Sequence, residues 1–533
     1  MASSGAGPAA AASTGAAGTS VGAGAEPATS PGRGARRKLW SILGEKKSEP
    51  AAHAELRAAQ SEPPRTAAAT QQQQQQQEAE VKRSSPTAAG LKSIAQSQPQ
   101  LSSAGGAAGG APHNEHVVRV NTAQRGRPIE LNELMFVQCL RDGHRDGINV
   151  MEFSPEGMFL ATGGKDATVV IWRVLQHDKE QYEQTEPQPV CEGAGNTSGE
   201  PLGPKLFSSD PWQVLRKHTK EITSLSWSRS QFLLSGSADC TVRLWHVQRD
   251  QCLYVFRHRN VVTGVSFSPE TDLRFASSAE DGYVRLWDIE GGADGIAKVI
   301  EIQKIAGGVR SLAFFNDPNV LSVGTEDGEV RFLSSDKLVF VTQMECRNRR
   351  GIQRKGKPVV GLQPCSLRGS LNKNSQQSAI LVSTKDSRVR LCSMGNYAVL
   401  CKFKGASTTT LDIKARIKGS RSHVISASED KSVYIWNLVE QEPDNAAAAS
   451  LANSKRLLGA VAKKYSTFES FQGHSTMVTQ ADFAPDRTLR VARKRTVTGP
   501  SLHGCIIVST DLHGHIHVFE NKLPTPDEEI PAA

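Results

Sequence analysis

Three sets of residues in this chain have the make-up of a hydrolytic relay. His144, Thr162 and Asp166 form one, His218, Ser235 and Asp239 a second, and His258, Ser277 and Asp281 a third. A histidine between a hydroxyl and a carboxylate can serve as general base in acyl transfer, with the acid holding its tautomer. Their recurrence argues against that chemistry, because a catalytic site is built once and a packing device is built per repeat. Each set is also followed, six residues after its aspartate, by a tryptophan: Trp172, Trp245 and Trp287. No serine elbow between a strand and a helix accompanies them, and no H-E-x-x-H pair occurs. The expectation is a non-enzymatic chain whose histidines, hydroxyls and acids lock local structure.

The elements that would position these residues are hairpins. Residues 161–172 (ATGGKDATVVIW), 234–245 (LSGSADCTVRLW), 276–287 (ASSAEDGYVRLW) and 425–436 (ISASEDKSVYIW) share one shape. An alternating strand runs into a short polar turn at the aspartate, and a second alternating strand runs out of it. Ser426, Asp430 and Trp436 make the fourth set, which lacks a histidine. Residues 323–333 and 382–392 keep the aspartate but end in Leu333 and Cys392, and 508–519 places His513 at the aspartate position. Asp239 and Asp281 lie 42 residues apart, close to the period of a four-stranded propeller blade. Seven copies predict an all-β, seven-bladed WD40-type β-propeller over residues 116–522, with a short tail at 523–533.

In such blades the histidine, the strand-b hydroxyl, the turn aspartate and the strand-c tryptophan form one hydrogen-bonded network, complete here in blades one to three. Closure is expected from the apolar run Met135–Leu140, which has no hairpin of its own and would pair into blade seven, removing two sheet edges. Insertions at 176–210, 366–378, 440–464 and 487–502 all fall in a–b or c–d connections and so emerge on one face. That face either binds or merely tolerates length. The opposite face carries Arg347, Arg349, Arg350, Arg354, Lys355 and Lys357 between blades four and five. Such a run is a solvated loop or a contact for an acidic partner or anionic headgroups. Gly351 to Lys357 reads G-x-x-x-x-G-K, but Pro358 replaces the magnesium-binding hydroxyl and a strand is expected to follow, which excludes a phosphate loop.

Composition bounds the rest. Residues 1–115 are rich in Ala, Gly, Ser, Pro and Gln, including a glutamine run from Gln71 to Gln77, and are expected to be disordered. Within them Arg36–Lys47 surrounds Leu39, Trp40, Ile42 and Leu43 with basic residues, a membrane- or groove-docking helix or a stray apolar patch. A formal charge of +9 is mild for this length, and no nucleic-acid partner is expected. Nine scattered cysteines without a C-x-x-C pair, and no His/Cys cluster at metal spacing, read as buried thiols of a reducing compartment and no cofactor. Asn196-Thr197-Ser198 reads as a chance glycosylation match, and the Ala/Ser-rich opening as low complexity rather than a transit peptide. A weak basophilic kinase signal is formed by Arg490, Arg493, Lys494 and Arg495 before Thr496. A cytoplasmic, monomeric propeller that holds protein partners is the reading these features support.

Residues 219–258 (TKEITSLSWSRSQFLLSGSADCTVRLWHVQRDQCLYVFRH), 133–166, 347–364 (RNRRGIQRKGKPVVGLQP), 381–394 and 422–438 together resemble the group of WD repeat-containing protein 44. That group comprises rabphilin-like Rab-GTPase effectors of vesicle recycling. The likeness implies a scaffold peripheral to endosomal or Golgi-derived membranes and a Rab GTPase among its partners. The group's Rab-binding and membrane-contact motifs lie largely upstream of the propeller, and none of them matches residues 1–115 here. The alternative is an adaptor of another kind, such as a ubiquitin-ligase substrate receptor or a signalling hub.

Overall fold

A computed structural model describes residues 117–123, 129–176, 205–289, 297–315, 319–346, 356–368, 376–438, 463–465, 467–493 and 502–522. Within them the chain forms seven sheets, antiparallel except for one added strand, that follow one another around a ring, a seven-bladed β-propeller. Blade one comprises Ile148–Phe153, Phe159–Gly164, Val169–Arg173 and Gln213–Leu215, its strands a to d. Strand b is buried at all six positions in blades one, two and seven, because it is covered by neighbouring blades on both faces. The outermost strands are far more open: Lys298–Lys304 of blade three alternates exposed and half-buried residues. The tryptophans Trp172, Trp245 and Trp436 are among the largest fully buried side chains, each contributing roughly 3 kcal/mol of burial.

The b–c turn repeats with one backbone signature. The residue after each marker position has positive φ: Ala167, Cys240, Gly282, Gly328, Ser387, Lys431 and Gly514. This left-handed step returns the chain into strand c with the twist a hairpin needs. Four of the seven are not glycine, and each costs about 1 kcal/mol that the surrounding hydrogen bonds must offset.

The ring closes through the expected strand. Leu134–Leu140 pairs antiparallel with Ile516–Asn521, with Phe136 opposite Phe519 and Leu140 opposite Ile516. The same segment is tied to blade six, where Glu469 accepts the amides of Glu130 and Leu131 at 2.7 and 3.0 Å. Upstream, Val120–Thr122 pairs with the outer strand Glu469–Gln472 and gives blade six a fifth strand. Blade five gains a fifth strand too, Lys463–Tyr465, which runs parallel to Val399–Phe403.

The insertions differ from the sequence expectation in form. In blade five, strands Val359–Arg368 and Gln376–Thr384 stay paired as far as Arg368 opposite Gln376, so much of 366–378 extends a hairpin. In blade six the end of 440–464 returns as the added strand of blade five. In blade seven the insertion opens with a helix, Asp486–Arg493, whose Leu489 and Ala492 pack with Phe153, Leu206 and Phe207 of blade one. The closing strand meets the same region, since Gln138 donates to the Phe207 carbonyl at 2.8 Å and accepts the amides of Leu206 and Phe207 at 3.0 Å.

Among the described residues seven cysteines are free thiols, four of them buried (Cys346, Cys392, Cys401 and Cys505). Cys139 is disulfide-bonded, which departs from the expectation of buried thiols throughout.

Candidate interaction faces and the blade networks

Blades one and two carry a full relay. In blade two Trp245 Nε1 donates to Ser235 Oγ at 2.8 Å, and Ser235 Oγ lies 2.7 Å from His218 Nε2. His218 Nδ1 is 2.8 Å from Asp239 Oδ2. Tryptophan can only donate, so the serine donates onward to Nε2 and the Nδ1–H faces the acid. Blade one repeats the order through Trp172, Thr162, His144 and Asp166, at 3.2, 2.8 and 3.2 Å. The aspartates also cap their turns: Asp166 accepts the amides of Thr168 and Arg145, and Asp239 those of Thr241 and Thr219. Burial opposes ionisation of Asp166, but the bonds from His144, Thr168 and Arg145 outweigh it and hold the acid well below the usual range. Burial likewise pushes His218 down and keeps the ring neutral near pH 7.

Blade three departs from the expected set. His258 Nε2 meets Ser277 Oγ at 2.7 Å and Trp287 Nε1 meets the same oxygen at 2.8 Å, but His258 Nδ1 turns to the Phe256 carbonyl at 3.2 Å. Asp281 is instead held by Arg285, at 2.5 and 3.3 Å. The cause lies two residues beyond the aspartate. Thr168 and Thr241 fill one carboxylate oxygen of their aspartates at 2.6 Å, whereas Tyr283 stands at that position in blade three and leaves the oxygen to the guanidinium.

The blade-six set does not converge either. Ser426 donates to the Ala427 carbonyl, Trp436 donates to the Lys404 carbonyl at 3.0 Å, and Asp430 accepts Tyr434 Oη at 2.6 Å. With no imidazole to join them, each group finds its own partner. Glu429 does the loop-fixing there, accepting the amides of Thr409, Thr410 and Leu411 at 2.7, 2.6 and 2.9 Å. Burial raises its pKa, yet those donors carry it down to about 2. In blade five Arg390, fully buried, binds Asp386 at 2.5 Å.

Blade seven holds a relay that sequence alignment passed over. His474 Nε2 lies 2.9 Å from Ser509 Oγ and its Nδ1 3.2 Å from Asp511 Oδ2. The acid sits two residues before the aligned position, where His513 stands. Gly473-His474 was the available signal, and it required an acid somewhere near the turn.

Around the centre of the ring, strands a of blades one, six and seven bring together charges no repeat pattern predicted. Arg416 bonds the Glu152 carboxylate and lies 3.8 Å from Asp482. Burial pushes the Asp482 carboxyl up to about 7 despite the opposing pull of Arg416. Nearby, Gln480 donates to the carbonyls of Asn149 and Asp412 at 3.0 and 3.2 Å, stitching the same three blades.

The family model for the WD domain, G-beta repeat, matches residues 137–173, 209–246 and 250–288, which contain the relays of blades one and two and the altered set of blade three. The chain carries WD40 repeats in these segments. It is 29% identical to WD repeat-containing protein 44 of Xenopus laevis over 74% of this chain and 45% of that protein. It is 28% identical to an uncharacterized WD repeat-containing protein of Schizosaccharomyces pombe, over 66% of this chain and 56% of that one. DDB1- and CUL4-associated factor 5 of Homo sapiens is 32% identical over 28% of this chain and 13% of its own length. The chain spans about half the length of the first two of these relatives.

WD40 propellers mediate protein–protein interactions. On the face of the a–b and c–d connections, the helix Asp486–Arg493 lies on blade one, with Arg487 donating to the Pro155 carbonyl and Thr488 to the Gly157 carbonyl, both at 2.9 Å. Arg490 on that helix is exposed, while Lys494, Arg495 and Thr496 lie outside the described residues. On the other face Lys357 is exposed, and the strand Val359–Arg368 follows Pro358 where a phosphate loop would need a helix. Arg347, Arg349, Arg350, Arg354 and Lys355 lie outside the described residues, as do the insertion 177–204, the segment Arg36–Lys47 and the N-terminal 115 residues. No helix among the described residues is long and apolar enough to cross a membrane.

Proposed function

We propose that this chain is a non-catalytic adaptor in Rab-linked endosomal or vesicle traffic, cytoplasmic and peripheral to membranes. The observation that supports it is the likeness to WD repeat-containing protein 44 over 74% of the chain, well beyond the three segments matched by the repeat model. The relays are a second support for the non-catalytic part: the hydroxyls (Thr162, Ser235 and Ser509) and histidines of blades one, two and seven are buried and committed to each other. The six basic residues from Arg347 to Lys357 add a candidate contact for an acidic partner or anionic headgroups. Affinity capture of the full chain from cell extract, with and without GTP-loading, tests the reading. Enrichment of a Rab GTPase or endosomal components is expected, and their absence beside abundant other partners overturns it.

A second reading, a ubiquitin-ligase substrate receptor, rests on the likeness to DDB1- and CUL4-associated factor 5, which covers 28% of this chain. Co-capture of cullin-adaptor subunits in the same experiment is the outcome that favours it.

A further inference from the structure

The b–c turn of blade seven is built unlike the others. At the marker position the other six blades carry aspartate and this one carries His513; two residues on, where blades one and two carry Thr168 and Thr241, it carries His515. The acid has moved back to Asp511, at the end of strand b (Ile506–Asp511). One ligand atom from each of Asp511, His513 and His515 lies within 4.8 Å of the other two.

We propose that Asp511, His513 and His515 form a binding site for a divalent first-row transition-metal cation of the zinc class. Two imidazoles and one carboxylate are the donor set of three-ligand zinc sites, which leave a further coordination position open. The carboxylate is already aimed. Its Oδ1 accepts the amides of His513 and His515, both at 2.9 Å, so the turn is wrapped around it. Its Oδ2 faces His474 Nδ1 and Thr476 Oγ1 at 3.2 Å and His515 Nδ1 at 3.5 Å. That last separation is long for a hydrogen bond, and it matches the roughly 3.4 Å edge of a tetrahedron with metal–ligand bonds of about 2.1 Å. His474 and Thr476 then act as the outer contacts that orient a ligating carboxylate.

Access and cost both suit a cation. Asp511 is buried, the His515 side chain is 29% exposed and His513 is exposed, so the ion enters from solvent and His513 closes over it. A blade clamp like those of blades one and two accounts for His474, Asp511 and the turn amides, but not for the imidazoles of His513 and His515. The bound ion ties strand b to strand c (Ile516–Asn521), the strand that carries the closing Leu134–Leu140. Metal binding is therefore coupled to the stability of the closing blade.

The test uses tag-free full chain dialysed against Zn²⁺, with bound metal measured by mass spectrometry and Co²⁺ substitution followed by visible absorption. About one equivalent of metal is expected, with the absorption of a tetrahedral nitrogen/oxygen site. His513→Ala weakens it at least roughly tenfold and His513→Ala/His515→Ala abolishes it, while added Zn²⁺ raises the unfolding temperature of wild type alone. Absence of retained metal in wild type overturns the proposal, and so does undiminished binding in the double variant. Should the double variant fail to fold, exposed His513→Ala decides: an unchanged Co²⁺ spectrum overturns the site, and a lost one supports it.

Discussion

Arg285 holds Asp281 at 2.5 Å, and by doing so takes the acid away from His258. The guanidinium reaches the carboxylate from four residues along strand c, with its plane near the Tyr283 ring at 5.5 Å. A charge-assisted, two-point contact outcompetes a neutral imidazole. Blade two carries Arg243 at the equivalent place, yet His218 keeps Asp239 there, because Thr241 has already filled the other carboxylate oxygen. The choice of partner is thus set by a single neighbouring residue.

Replacing Arg285 by Val, the residue type at the equivalent Val170 of blade one, should return Asp281 to His258. Burial, and then the Arg285 charge, hold His258 at about 4 in the wild type against an ordinary 6.5. Its imidazole resonance should therefore titrate at higher pH in Arg285→Val, as read by NMR. The stability sign follows. Between pH 6.5 and 4 the unfolded chain binds a proton that folded wild type refuses, so wild type loses stability on acidification and the variant loses less. An unchanged titration would refute the competition.

Buried Arg390 and Asp386 should behave as a coupled pair. Arg390→Met alone strands a largely buried carboxylate and is expected to cost about 3–5 kcal/mol in urea unfolding. Adding Asp386→Ala should recover a large part of that loss. Strictly additive losses in the double-mutant cycle would show that the pair is not coupled.

Asp482→Asn should stabilise the ring at neutral and alkaline pH. The folded carboxyl, at about 7, keeps its proton through a window above 3.8 in which the unfolded chain has released it. Wild-type stability therefore falls as pH rises from about 4 to 7, and the amide escapes that fall. With 19% of the side chain exposed, the gain at pH 8 should be about 1–2 kcal/mol, with little difference near pH 4. A variant that is less stable than wild type at pH 8 would show that the Arg416 contact outweighs burial.

A chain beginning at residue 143 lacks Leu134–Leu140 and bares strand c of blade seven. Compared with a chain beginning at 116, it should unfold at a clearly lower temperature and aggregate, since an open apolar strand edge invites pairing. Equal unfolding temperatures would mean that the ring does not depend on this strand.

Much of the architecture was legible because its signals are local. Alternation around Trp172, Trp245, Trp287 and Trp436 places strands b and c, and the marker residue places the left-handed turn at the next position. The run Met135–Leu140 was recognisable as a closing strand because it is apolar and has no hairpin partner of its own. The short added strands Val120–Thr122 and Lys463–Tyr465 carry no such pattern: three residues that pair at an outer edge bury too little to imprint a period.

Sequence alone determined that seven hairpins recur, where each turns, and which residues come together in the buried relays of blades one and two. Those facts follow from chain-local periodicity and from repetition. Only the tertiary structure decided that Asp281 belongs to Arg285, that Asp511 replaces the acid missing at His513, and that Glu152, Arg416 and Asp482 meet at the centre of the ring. Each of those outcomes is a competition among donors brought together across strands or blades, and distance and desolvation settle such competitions, not spacing along the chain.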